Sequence, residues 1–151
     1  MGNAILVVLE RCKMKFFIKC VPPKTTAQAT TRVFRNKYTG KMFIGKDKKG
    51  QSVREELMGL LRPYIPEKPF TNAVELKIKW QYPFRKSETK KNIAKGMIWC
   101  TTKPDCDNLN KLLADCITRL GFWTDDSLVA VLHFEKFYCS NSGIEVEINE
   151  L

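Results

Sequence analysis

The sequence has a single histidine, His133, and no two of its six cysteines stand at Cys-x-x-Cys spacing. Structural zinc sites use closely paired Cys and His ligands, so nothing here suggests one. Cys12, Cys20, Cys100, Cys106, Cys116 and Cys139 are expected as reduced, small apolar fillers without disulfides. No apolar run approaches the roughly 20 residues of a membrane span. The apolar stretch from Ala4 to Leu9 stops at Glu10 and Arg11, and no small-residue cleavage site follows it. Leu6 stands where a myristoylation motif needs Ser or Thr. Internal repeats, linkers and signs of a second domain are also lacking. A cytoplasmic protein that does not engage membranes is expected.

Acidic residues are scarce in the first two-thirds of the chain. Residues 1–100 hold 22 Lys/Arg against 7 Asp/Glu, whereas residues 101–151 hold 4 against 9, for a net charge of +10 over 151 residues. A basic body suits a polyanion, and an acidic patch beside it suits a divalent cation. Hydrophobic residues make up 44% of the chain, including nine Phe, four Tyr and three Trp, enough for a real core.

Strands are expected at Lys15–Val21, Val74–Trp80, Met97–Cys100, Leu128–Phe137 and Ile144–Ile148. A hairpin is expected from Arg32–Phe34 and Lys41–Ile44 around Tyr38-Thr39-Gly40. Val53, Leu57, Leu60 and Leu61 recur at helical spacing within Asp47–Tyr64, which Pro63 and Pro66 close. The clearest helix is Asn108–Leu120. Leu109, Leu112, Leu113, Cys116, Ile117 and Leu120 form one apolar stripe, and Gly121 stops it. The fold class is therefore α+β, one domain over residues 14–151 with a mixed sheet backed by two main helices. Residues 1–13, ahead of the second methionine Met14, are expected as a loose extension or an extra strand.

The chemistry gathers at Lys103 to Lys111. Pro104 favours an extended approach to the helix. Asp105 and Asp107 then lie two residues apart at its positive end, where ionised carboxylates are stabilised. One of them alone would serve as a cap, which leaves the other unexplained. Asp107, Lys111 and Asp115 follow at four-residue steps on one face, as a solvated ladder or as part of a site. A helix of thirteen residues advances about 20 Å, and Gly121 to Asp126, if extended, returns about the same distance. Asp125 or Asp126 can therefore come back beside Asp105 and Asp107, and alternation admits only one of the two. Carboxylates converging there suit Mg²⁺, which polarises phosphate and activates water, with Lys111 placed to neutralise transition-state charge.

The run Lys103 to Lys136 resembles the RusA family of Holliday-junction resolvases. The shared pattern is Asp105-x-Asp107-Asn108-Leu109-x-Lys111, then Asp115 on the helix, Gly121-Phe122-Trp123, and Asp125-Asp126 before a strand. The match is specific over about a quarter of the chain and loose elsewhere. It implies cleavage of branched DNA dependent on Mg²⁺, with Mn²⁺ as a substitute, by Asp105, Asp107 and Asp126 assisted by Lys111. Asn108, Asp115 and Asp125 would stand behind them. A homodimer making paired symmetric nicks in a four-way junction during recombination and repair is also implied. Strands Val74–Trp80 and Leu128–Phe137 offer apolar side chains for its interface.

The sequence departs from the family at Pro22-Pro23-Lys24-Thr25-Thr26 and at Thr101-Thr102-Lys103-Pro104, where other members carry arginines. The nearest phosphate-contact candidates are Arg85, Lys86, Lys90, Lys91, Lys95 and Lys103, on a basic loop and the turn after it. Phe122 and Trp123 are expected in the core, and His133 in a structural role. The rival readings are a DNA-binding protein without catalysis, and a nuclease acting on other branched or linear DNA.

Overall fold

The computed structural model describes residues 12–26, 31–46 and 48–151. Among these described residues, seven strands and three α-helices follow in the order β1 Lys13–Lys19, β2 Thr31–Arg35, β3 Met42–Lys46, α1 Lys48–Leu61, β4 Val74–Pro83, α2 Lys90–Ile93, β5 Met97–Trp99, α3 Cys106–Arg119, β6 Val129–Cys139 and β7 Gly143–Glu150. The architecture is α+β, as the patterning implied. Residues 1–11 and Asp47 lie outside the described residues. Lys13 pairs with Asn149, and the carbonyl of Cys12 accepts from the Glu150 amide, so the folded part begins ahead of Met14. The six cysteines are free thiols.

Five strands form one sheet in the order β1-β7-β4-β6-β5, while β2 and β3 form a separate ribbon. Among the described strands only β4 and β6 pair in parallel, and α3 lies in the crossover between them. Alternation in β4 sends Val74, Leu76, Ile78, Trp80 and Tyr82 into the core. There they meet Phe16, Ile18, Ile144, Val146 and Ile148 from the sheet, Leu57 and Leu61 from α1, and the α3 stripe of Leu109, Leu112, Leu113, Cys116 and Ile117. The other face is a charged ladder in which Lys15 and Lys79 pair with Glu145, and Lys77 pairs with Glu147 and Glu75. Such exposed pairs contribute little each, but the opposite signs keep the strands in register.

β4 lies in the middle of the sheet with its apolar side chains spent on the chain's own core, so the expectation that it supplies apolar side chains to an interface is corrected. β6 differs. Strand β5 covers only its end, from Phe137 to Cys139, and Leu132 and Phe134 face the helical side while 44% and 40% exposed. Among the described residues, no helix is long and apolar enough to cross a membrane.

Candidate active site

The helix α3 starts where its sequence says it should. Asp105 occupies the N-cap position with extended backbone, its carbonyl accepts from the Leu109 amide, and its carboxylate makes no capping hydrogen bond. The bland reading of Asp105 as a side-chain cap therefore fails, and its exposed carboxylate is available for other work. Asp107 sits in the first turn, at the positive end of the helix. At the other end, Gly121 adopts φ 77° and turns the chain back, which a side chain would resist.

That return is anchored in the core. Phe122 and Trp123 are buried, and Trp123 Nε1 donates to Thr118 Oγ1 at 2.7 Å. Amide and carbonyl of Phe70 bond to the Phe122 carbonyl and the Thr124 amide. The chain then reaches Asp125 and Asp126, of which only one enters the site. Asp125 Oδ1 accepts from the Ser127 amide at 2.8 Å and caps a 3-10 turn over Asp126–Leu128. Hydrogen bonds from Ser127 hold its carboxyl below the usual carboxylate range. Asp126 instead lines a pocket of about 410 Å³ together with Asp107, Lys111 and Asp115.

The walls of this pocket are Leu76, Ala114, Val129, Leu132 and Phe134, so charges line an otherwise apolar hollow between α3 and β6. Asp115 is partly engaged, with one oxygen 3.7 Å from Arg54 Nη2 on α1. Asp105 does not itself line this pocket. Its extended N-cap backbone places it ahead of the first helical turn. Among the described residues no three acidic, His or Cys side chains form a ready-made metal cage. The donor set is still suited to Mg²⁺ or Mn²⁺, because the nearby acids offer hard oxygen ligands. Burial pushes the Cys106 thiol up, which keeps this soft ligand protonated.

Two residues escaped the sequence reading. Lys136 is buried, and its Nζ donates to the carbonyls of Thr102 and Pro104 at 2.5 and 2.6 Å. It grips the turn immediately before Asp105, where the Lys103–Pro104 bond is cis. Thr102 Oγ1 and the Tyr138 hydroxyl, 2.9 Å apart, add a second tie. Asn110, also buried, accepts from Trp80 Nε1 at 3.0 Å and lines the pocket. Parity along β6 was the available signal for Lys136, which falls on the inward series with Leu132 and Phe134. For Asn110 the signal was its place three residues before Leu113 on the buried stripe.

The basic loop is more ordered than expected, and one member is already committed. Arg85 donates to Glu88 Oε2 at 2.9 and 3.2 Å and lies 5.3 Å from the centre of the Tyr138 ring. That weakens its candidacy as a phosphate ligand. Lys90 and Lys91 open α2, capped by Thr89 Oγ1, and they are exposed with Lys86, Lys95 and Lys103. His133 Nε2 lies 3.2 Å from Glu75 Oε1 on the charged ladder, away from the pocket.

Comparison with known proteins decides the family. The model for endodeoxyribonuclease RusA matches residues 20–149. The chain belongs to the RusA family of endodeoxyribonucleases. It is 31% identical over 117 residues to the uncharacterized protein YqaN of Bacillus subtilis (strain 168), covering 74% of this chain and 82% of that one. It is 33% identical over 86 residues to the crossover junction endodeoxyribonuclease rusA of Lactococcus phage r1t, covering 57% of this chain and 63% of the phage protein. Membership of the RusA family makes the pocket at the start of α3 the candidate centre of a DNA hydrolase.

Proposed function

We propose that this protein is a Mg²⁺-dependent endodeoxyribonuclease that resolves four-way DNA junctions by paired, symmetric phosphodiester cleavage. The carrying observation is the placing of Asp107, Lys111 and Asp126 on one pocket, with the uncapped carboxylate of Asp105 at the helix entrance, in a member of a nuclease family. The name of the phage relative supports the junction as substrate.

Asp105, Asp107 and Asp126 would hold the ion, and Mn²⁺ would fit the same oxygens. When bound, the ion supplies Lewis acidity to the phosphate and to the attacking water. Lys111 would present its ammonium to the non-bridging oxygens, where negative charge grows as the attacking oxygen bonds to phosphorus in a phosphorane-like transition state. Asp115 sits behind Lys111 with one face toward Arg54, and Asp125 shapes the turn that delivers Asp126. Lys86, Lys90, Lys91, Lys95 and Lys103 offer cations to the flanking backbone. Cleavage rates on four-way, flap and linear duplex substrates test this reading. Preference for a flap or equal rates on all three would favour the wider nuclease alternative.

Paired nicking asks for two active sites on one two-fold axis, so the reading includes a homodimer. Leu132 and Phe134 on the open part of β6 are the apolar surface for it, and because they also wall the pocket, a partner seated there would stand beside the active site. Wild-type subunits mixed with Asp107→Asn subunits should nick one strand of a junction without completing resolution. Light scattering that gave a monomer still making paired cuts would overturn the dimer.

A further inference from the structure

Among the described residues the ribbon of β2 and β3 adds none to the core, and its apolar side chains are exposed on both faces. On one face Val33, Met42 and Ile44 are 62%, 67% and 75% exposed; on the other, Phe34 and Phe43 stack with ring centres 5.6 Å apart. At the tip Tyr38 is 99% exposed. A soluble domain rarely leaves so much apolar surface together unless a partner covers it.

The tip is built, not loose. Asn36 Oδ1 accepts from the amides of Tyr38 and Thr39 at 2.8 and 3.1 Å, an Asx turn. The Gly40 amide donates to the Asn36 carbonyl at 2.9 Å, and the Asn36 amide donates to the Lys41 carbonyl at 2.8 Å. Gly40 takes φ 69°, which closes the loop. The aromatic ring of Tyr38 is thus presented by a preorganised turn.

Charge distinguishes the occupants. From Thr31 to Lys46 the sequence holds Arg32, Arg35, Lys37, Lys41 and Lys46 and no acid. A contact between two copies of this arm would set its five cations against each other. A polyanion is attracted by them. Exposed aromatics among cations on a two-stranded ribbon suit nucleic acid, with rings stacking on bases and apolar side chains wedging between them. Unpaired or strained bases are most accessible where a duplex branches, since unstacking there costs least.

We propose that the ribbon from Thr31 to Lys46 is a DNA-contacting arm, with Tyr38 stacking on a base at the branch point and Arg35, Lys37 and Lys41 holding adjacent phosphates. The proposal rests on the branched-DNA reading above, and its test separates the two. Binding is measured in EDTA, so that cleavage does not intervene, on linear duplex and on a synthetic four-way junction carrying 2-aminopurine next to the branch-point base, a probe that brightens when Tyr38 draws its stacking neighbour away. Wild type should prefer the junction and raise the probe's fluorescence. Absence of that preference would overturn the proposed substrate, and this arm with it. Tyr38→Ala should lose on the order of 10-fold in junction affinity and the fluorescence rise, at unchanged salt slope, while Tyr38→Phe retains both. The triple change Arg35→Gln, Lys37→Gln and Lys41→Gln should lower the log–log salt slope by about 2.7. Wild-type preference with both Tyr38→Ala and the triple variant binding as wild type would overturn the arm alone. So would a fall in mass on light scattering for Val33→Ser with Ile44→Ser, which would make the ribbon a contact between copies.

Discussion

The ammonium of buried Lys136 donates to the carbonyl oxygen of Pro104 at 2.6 Å, one residue before Asp105. The same ammonium reaches the Thr102 carbonyl, so one side chain of β6 fixes the turn that delivers the first acid to α3. Lys136→Met keeps the stem but leaves two carbonyls without their donor, at a cost of about 1–3 kcal/mol each. Asp105 would shift with the turn, and a displacement near 1 Å lowers turnover on the order of 100-fold. Cleavage by Lys136→Met should therefore fall steeply, and the Mg²⁺ concentration for half-maximal rate should rise. An unchanged Mg²⁺ requirement with only a lowered Tm would leave Lys136 a purely structural residue.

Asp105→Asn, Asp107→Asn and Asp126→Asn should each abolish cleavage while junction binding survives or tightens. Each change removes a ligand charge and also relieves repulsion of phosphate. Asp125→Asn should be far milder, since its oxygen is occupied by the Ser127 amide. Gel shifts beside single-turnover rates check the set. Near wild-type turnover in any of the first three would remove that residue from the site.

Changing Lys86, Lys90 and Lys91 together to Ala should reduce the log–log salt slope of binding by about 2.7, at 0.9 per lost phosphate contact. Arg85→Ala should leave the slope alone, because Glu88 and the Tyr138 ring already hold its guanidinium. A slope lowered equally by Arg85→Ala would show that DNA displaces Glu88.

Alkaline stability should report on α3. Burial pushes the Cys116 thiol up from 9.0 to about 11. Between those values the folded thiol keeps a proton that the unfolded one has lost, so unfolding releases a proton and stability falls as pH rises. The contribution is complete below pH 9 and lost through about pH 11. Urea unfolding of Cys116→Ala at pH 8 and pH 10 should show a smaller loss between the two than wild type shows. An equal loss in both would assign the alkaline transition to other groups.

The sequence made the α3 region most legible, because a helical apolar stripe and a glycine stop are local signals. Asp107, Lys111 and Asp115 are spaced by the helix itself, so their shared side needed no tertiary knowledge. The pairing of β4 with β6, and the stretch of β6 that β5 fails to cover, depend on contacts between residues far apart in sequence. For that reason β4 was expected to share the interface with β6, although β7 and β6 flank it on both edges. Lys136 was hidden because a lysine on a strand suggests solvent, and only the carbonyls of Thr102 and Pro104 reveal why it faces inward. Glu88 was visible as a lone acid in the basic loop, yet its hold on Arg85 required the turn to be folded.

The most direct measurement of the central claim uses a synthetic four-way junction with a fixed crossover, labelled in turn on each strand. Incubation with Mg²⁺ should give nicks at symmetry-related positions on two opposing strands, and none in EDTA or on linear duplex. Cleavage that persisted without divalent metal, or fell on unrelated positions of all four strands, would contradict the account.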